Sequence, residues 1–236
     1  MAEPRFLALA TDPNLVAGIY NGCDQWCHYC HATSRCLAFQ IQPPDGDRGD
    51  IYENINAALF ESMKHLMACH EAEGMAPPKT LVELLEKEHE RPAFIPVNDP
   101  LEAMGKRYAI LATTFVVSRG KPLPLGFTPP KREGGPTPFD VFLYYHLLVA
   151  TKIYRAIISS LVAARTGSTD ARWDSDLSAK VALIAIDRSS DALHVMTLDG
   201  PDPRIDAMRK HLARLRRHVE GRFPCARTLV RPGLDE

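Results

Sequence analysis

The chain has no surplus of charge of either sign. Its 28 Lys and Arg stand against 29 Asp and Glu, a formal net charge of −1, so no global field draws it to nucleic acid or acidic lipid. The opening Met-Ala-Glu-Pro-Arg-Phe lacks the basic stretch and long apolar run of a secretory leader, and the expected setting is the reducing cytoplasm. No segment alternates apolar and polar residues between hairpin turns, which leaves little material for a β-sheet. A phosphate-binding glycine loop, a His-Glu-x-x-His pair and a Gly-x-Ser-x-Gly turn are all missing, and the chemistries those motifs mark have no support here.

Thiol, by contrast, is concentrated. Four of the six cysteines fall in the run Cys23-Asp-Gln-Trp-Cys27-His-Tyr-Cys30-His-Ala-Thr-Ser-Arg-Cys36, a C-x3-C-x2-C-x5-C spacing. Thiolates this dense repel one another and oxidise unless a soft cation binds them. A chain of 236 residues can bury a core without disulfide staples, so the metal reading outranks the disulfide one. A compact loop of four thiolates suits a [4Fe–4S] cubane, whose four irons each take one ligand. Structural zinc, more often held by two Cys-x2-Cys knuckles set well apart, is the alternative, and His28 or His31 could stand in for a cysteine in such a set. Cys69 and Cys225 read as small apolar core residues.

The first three cysteines, with Tyr29 before the third, resemble the cluster-binding loop of radical S-adenosylmethionine enzymes. The last three resemble the [4Fe–4S] loop of the helix-hairpin-helix DNA glycosylases. Each likeness covers about fourteen residues and implies the ligand type alone. The barrel of the first family needs a strand series absent from this sequence, and in the second six residues, rather than the three found here, separate the first cysteine from the next.

Helix signals fill the rest. Asp50-Ile-Tyr-Glu53, Thr80-Leu-Val-Glu83 and Asp99-Pro-Leu-Glu102 place a capping side chain three residues before a glutamate, and Thr137-Pro138 and Asp202-Pro203 are cap-then-proline starts. Helices are expected at about 138–166, 176–198 and 203–221. The expected fold is all-α, about six helices in a bundle with an N-terminal Cys-rich metal-binding loop. Its parts are residues 1–50 with that loop, a helical part at 51–118, a connection at 119–138 with six prolines and four glycines, and a helical part at 139–236, with one domain for the whole as the alternative. Val141 to Ala164 is long enough to span a bilayer. It carries His146, Lys152 and Arg155, however, and each central cation costs roughly 2.5–3.5 kcal/mol in a membrane, so a bundle helix without a membrane span is expected.

Charges inside such apolar helices need partners. An ion network joining Asp187 to Lys152, Arg155 or Arg188 is one expectation; a core pocket in which those cations meet an anion and His146 moves a proton is the other. A carboxylate-bridged di-iron site is disfavoured, because Glu86 and His89 lie in a short, highly charged segment. From Arg204 to Arg231 nine Lys and Arg face two acidic residues. Ile205, Met208, Leu212, Leu215 and Val219 keep helical spacing there, so the segment reads as a terminal helix with a solvated basic face. Function is thus expected to be that of an iron–sulfur protein in redox, electron-transfer or cluster-dependent enzymatic work with a redox or protein partner. The alternative is a zinc-stabilised helical module that binds a protein or nucleic-acid partner through its basic C-terminal helix.

Overall fold

The computed structural model describes residues 8–41 apart from 10 and 17, and residues 51–74, 98–120 and 132–235. Six α-helices and no strand occur among them: α1 (Leu37–Gln40), α2 (Ile51–Ala72), α3 (Pro100–Ser118), α4 (Pro138–Thr166), α5 (Thr169–Met196) and α6 (Pro203–Arg222). The expected helix at Thr80–Glu83 lies outside the described residues, as do Glu86, His89 and most of the 119–138 connection. The chain divides into two compact units, one of Met1–Tyr20 and Cys30–Ile95, the other of Asn21–Tyr29 and Pro96–Glu236. The 119–138 connection therefore has helices of a single unit, α3 and α4, on either side.

In the first unit α1 packs with α2. The Gln40 side-chain amide donates to the Thr33 carbonyl at 3.1 Å, and the Val16 N–H to the Arg35 carbonyl at 3.0 Å. These bonds tie the turns around Cys30 and Cys36 together.

The second unit is a four-helix arrangement in which α3 packs on α4 and α6, and α5 on α4 and α6. Its helix starts follow from the capping residues. Asp99 accepts from the Leu101 N–H at 2.9 Å, and Asp202 from the Arg204 N–H at 2.9 Å, each before a proline that needs no hydrogen bond. Thr137 and Asp140 form a reciprocal capping box: the Asp140 N–H donates to the Thr137 hydroxyl at 3.1 Å and the Thr137 N–H to the Asp140 carboxylate at 3.1 Å. Gly167, at φ 71°, ends α4 in the left-handed region that glycine enters without strain. Ser168 then caps α5 through the Ala171 N–H at 3.2 Å. That cap starts α5 seven residues before the expected 176, because its first two turns are polar and show no apolar period.

The core gathers Tyr108, Phe115, Phe142, Val149, Ile153, Ile157, Leu183 and Ile186 with the apolar face of α6, formed by Ile205, Met208, Leu212, Leu215 and Val219 as their spacing predicts. Among the described residues α4 is the one helix long and apolar enough, by length and composition, to cross a membrane. Its central Lys152 is buried within the unit.

Candidate functional site

The loop Asn21–Tyr29 belongs to the helical unit, and its own sequence explains why it adheres. Trp26 is buried, stacked on Tyr144 with ring centres 4.5 Å apart, and set edge-on to Tyr29 at 5.1 Å and Tyr145 at 5.6 Å. Such aromatic pairs add to the area they bury. Asp24 supplies the polar half of the attachment. Its carboxylate accepts from the Tyr145 hydroxyl and, at 3.2 Å, from the Trp26 backbone N–H, and its carbonyl accepts from the Tyr144 hydroxyl at 2.8 Å. At either end the Arg231 guanidinium donates to the Gly22 carbonyl at 3.2 Å, and the Arg132 N–H to the Tyr29 hydroxyl at 3.1 Å. Gly22 lies so close to α5 that a Cβ there would come within 2.9 Å of Leu177. Gln25, at φ 64°, is the sole non-glycine residue at positive φ among those described. Backbone strain of that kind persists where surrounding contacts over-determine it.

Cys23 and Cys27 ride on this anchored loop. Cys30 and Cys36 belong to the other unit, where Cys36 is buried. Burial pushes the Cys36 thiol up, with the charge of Cys30 adding to the effect and the N–H groups of Phe39 and Ala38 opposing it. No disulfide joins any of the six cysteines, all of which are described. His28 and His31 are exposed. Among the described residues no three His, Cys, Asp or Glu side chains converge closely enough to hold a metal ion. The donor chemistry therefore fits a soft metal in type, while the donors do not stand gathered as a finished coordination shell.

Cys225 is exposed rather than part of the core, and Cys69, half-buried on α2, lies 3.6 Å from His65 Nε2.

No family model, curated protein or solved structure matches this chain. The chemistry has to be argued from its own residues.

The expected core network resolves into separate pieces. Arg155 pairs with Asp174 through two hydrogen bonds, at 2.6 and 3.2 Å, and the Ser159 hydroxyl donates to the same carboxylate at 2.6 Å. Asp187 pairs instead with Arg216 at 2.5 Å and Arg227 at 2.6 Å. The reason is register: Asp187 stands thirteen residues beyond Asp174 on α5, about 20 Å along the axis, out of reach of Lys152 and Arg155. Arg188 is exposed, its charge acting on the Tyr145 hydroxyl.

His146 is buried, its Nδ1 hydrogen-bonded to the Leu143 carbonyl at 2.7 Å and its Nε2 without a hydrogen-bond partner among the described residues. Burial lowers its pKa, opposed in part by that carbonyl, and favours the neutral ring.

Lys152 is the exceptional group. It is 4% exposed, and its ammonium has no hydrogen-bond partner among the described residues. Burial lowers its pKa and Arg155 lowers it further; the negative charges of Cys23, Asp174 and Asp24 act the other way. Burial likewise raises the pKa of Tyr144 and Tyr145, and the Asp24 carboxylate adds to both. The loop that carries the half-buried Cys23 and Cys27 thus lies on an aromatic cluster of Trp26, Tyr29, Tyr144 and Tyr145, and Lys152 is buried in the same unit.

Asp24 and Arg231 hold the loop to the helical unit, and sequence reasoning passed over both, as it did Asp174, the partner of Arg155. Asp24 carried one visible signal, its place between two cysteines beside Trp26.

Proposed function

We propose that the chain is a cytoplasmic iron–sulfur protein in which Cys23, Cys27, Cys30 and Cys36 ligate a [4Fe–4S] cluster for redox, electron-transfer or cluster-dependent catalytic work. The observation that carries this reading is the run of four unbridged cysteines, the first two of which sit on a loop fixed to the helical unit by Trp26 and Asp24. Trp26, Tyr29, Tyr144 and Tyr145 keep water from that half of the run, and solvent exposure is one of the factors that sets a cluster's potential. Metal binding supplies folding free energy of its own, which would help bring four such ligands together. The cluster, when bound, supplies one-electron chemistry; the chain's residues supply thiolates and an apolar cover.

The basic C-terminal segment gives less support to a nucleic-acid partner. Of its nine cations, Arg204, Arg216, Arg222, Arg227 and Arg231 are already ion-paired with Asp202, Asp187, Asp99, Glu220 and Asp235. Their charge is spent inside the molecule rather than offered to phosphates.

Anaerobic purification, then iron, sulfide and zinc analysis with an absorbance spectrum, tests the proposal. About four irons and four sulfides per chain, with broad absorbance near 400 nm, is the expected result. One zinc without sulfide makes the loop a structural staple and overturns the redox reading.

A further inference from the structure

We infer that His65 and Cys69 form a metal site of their own, a two-point chelate on α2 for a divalent cation of the zinc class. Both donors stand on one helix within one compact unit, apart from the ligands proposed at 23–36. Four residues apart, they lie on one helix face a turn from each other. The same spacing sets the two zinc histidines of a His-Glu-x-x-His helix.

The His65 Nε2 lies 3.6 Å from the Cys69 Sγ. Zinc–nitrogen and zinc–sulfur bonds of about 2.0 and 2.3 Å, opened at the tetrahedral angle, put nitrogen and sulfur about 3.5 Å apart. The pair is therefore already at the bite the metal needs, with no change in the helix. Imidazole and thiolate suit zinc, whereas calcium and magnesium prefer oxygen. Access and charge favour the same reading. Both side chains are half-buried, so a cation from solvent reaches them without unfolding α2. Cys69 lies in the last turn before Ala72, where the free carbonyls of a helix end attract cations, and Glu71 and Glu73 are exposed close by in sequence. The Glu73 N–H donates to the Cys69 carbonyl at 3.1 Å, which keeps the turn closed around the cysteine. On binding, the thiol loses its proton to solvent, sulfur and Nε2 bond the cation, and water fills its remaining positions.

Site-resolved alkylation of the full, metal-free chain tests the chelate. Cys69 is the one cysteine of the tryptic peptide 65–79, and Cys225 of 223–227, so mass spectrometry reads each apart from the run at 23–36. The parent chain, His65→Ala, His65→Gln and His70→Ala are each alkylated with iodoacetamide across a Zn²⁺ titration. Zinc is expected to slow the Cys69 reaction roughly tenfold or more at concentrations that leave the exposed Cys225 unchanged. Either His65 variant should need about tenfold more zinc, because one arm of the chelate is gone. His70, about 100° further round the helix than Cys69, is the control, and His70→Ala should match the parent. If His65→Ala loses far-ultraviolet helicity, His65→Gln carries the comparison. Protection of Cys69 that tracks Cys225, or that survives in the His65 variants, assigns zinc to thiol alone and overturns the inference. Protection lost in His70→Ala takes the nitrogen ligand from His65 and overturns it as well. A parent chain whose Cys69 gains no protection from zinc overturns it whatever the run at 23–36 binds.

Discussion

Trp26 and Asp24 lie between two cysteines, and tyrosines of α4 hold both. Of the two hydroxyls, that of Tyr145 meets the Asp24 carboxylate and that of Tyr144 only its carbonyl. Hydrogen bonds to charged groups contribute more than neutral ones, so Tyr145→Phe should cost about 1.5–3 kcal/mol and Tyr144→Phe about 1 kcal/mol in urea unfolding. Equal losses would mean that the carboxylate is not the anchor.

His146 gives a second prediction at this scale. Its folded pKa is depressed by burial, so on acidification the unfolded chain takes up a proton near pH 6.5 that the folded chain refuses. Stability must therefore fall as the pH drops below about 6.5, with a slope approaching 1.4 kcal/mol per pH unit, until the folded ring protonates as well. His146→Leu should remove that component, seen as a smaller difference between urea midpoints at pH 7.5 and 5.5. Parallel curves for the two proteins would sink the argument.

Helix ends were the most legible part of the sequence, because a cap is a local code. Asp99-Pro100, Thr137-Pro138 and Asp202-Pro203 each mark the first turn of a helix in the structure. The start of α5 was less visible: Asp170, Arg172 and Asp174 carry no apolar period, and Asp174 turns inward only to meet Arg155 and Ser159. The partners of Asp187 were illegible for a related reason, since Arg216 and Arg227 reach it only through the way α6 and the segment after it pack against α5. The loop's attachment was hidden too, because it joins Asp24 to a residue 121 positions later.

The Thr137–Asp140 box gives the prediction for this scale. Burial would raise the Asp140 pKa, but the Thr137 hydroxyl and N–H and the Arg132 guanidinium outweigh it and hold the carboxyl below its ordinary value. A depressed carboxylate stabilises the fold above the unfolded pKa, near 3.9, and loses that contribution as the pH falls through the folded one. Asp140→Asn should therefore cost about 1 kcal/mol at pH 7 and progressively less below pH 4, checked by thermal unfolding across pH 2–7. An undiminished cost at pH 2 would assign the effect to packing instead of charge.

At the scale of the molecule, the question is which part of the stability the proposed metal would carry. The helical unit has its own closed apolar core, from Phe115 and Phe142 through Ile153 and Ile186 to Leu212 and Val219, and no cysteine belongs to it. Apolar burial of that extent is the dominant favourable term in folding and needs no ligand. A domain folded only by its metal, like a small zinc module, lacks such a core and unfolds on chelation. Metal removal should therefore act locally. In hydrogen exchange with and without reconstituted metal, amides at 21–36 should gain protection when metal is bound, while those buried in α4, α5 and α6 keep theirs within about twofold. Trp26 offers an optical check, since its ring lies within this loop whereas Trp173, the other tryptophan, stands 41% exposed on α5. If α4 and α5 lose protection along with the loop, the metal is a folding element of the helical unit as well, as the zinc-staple reading has it.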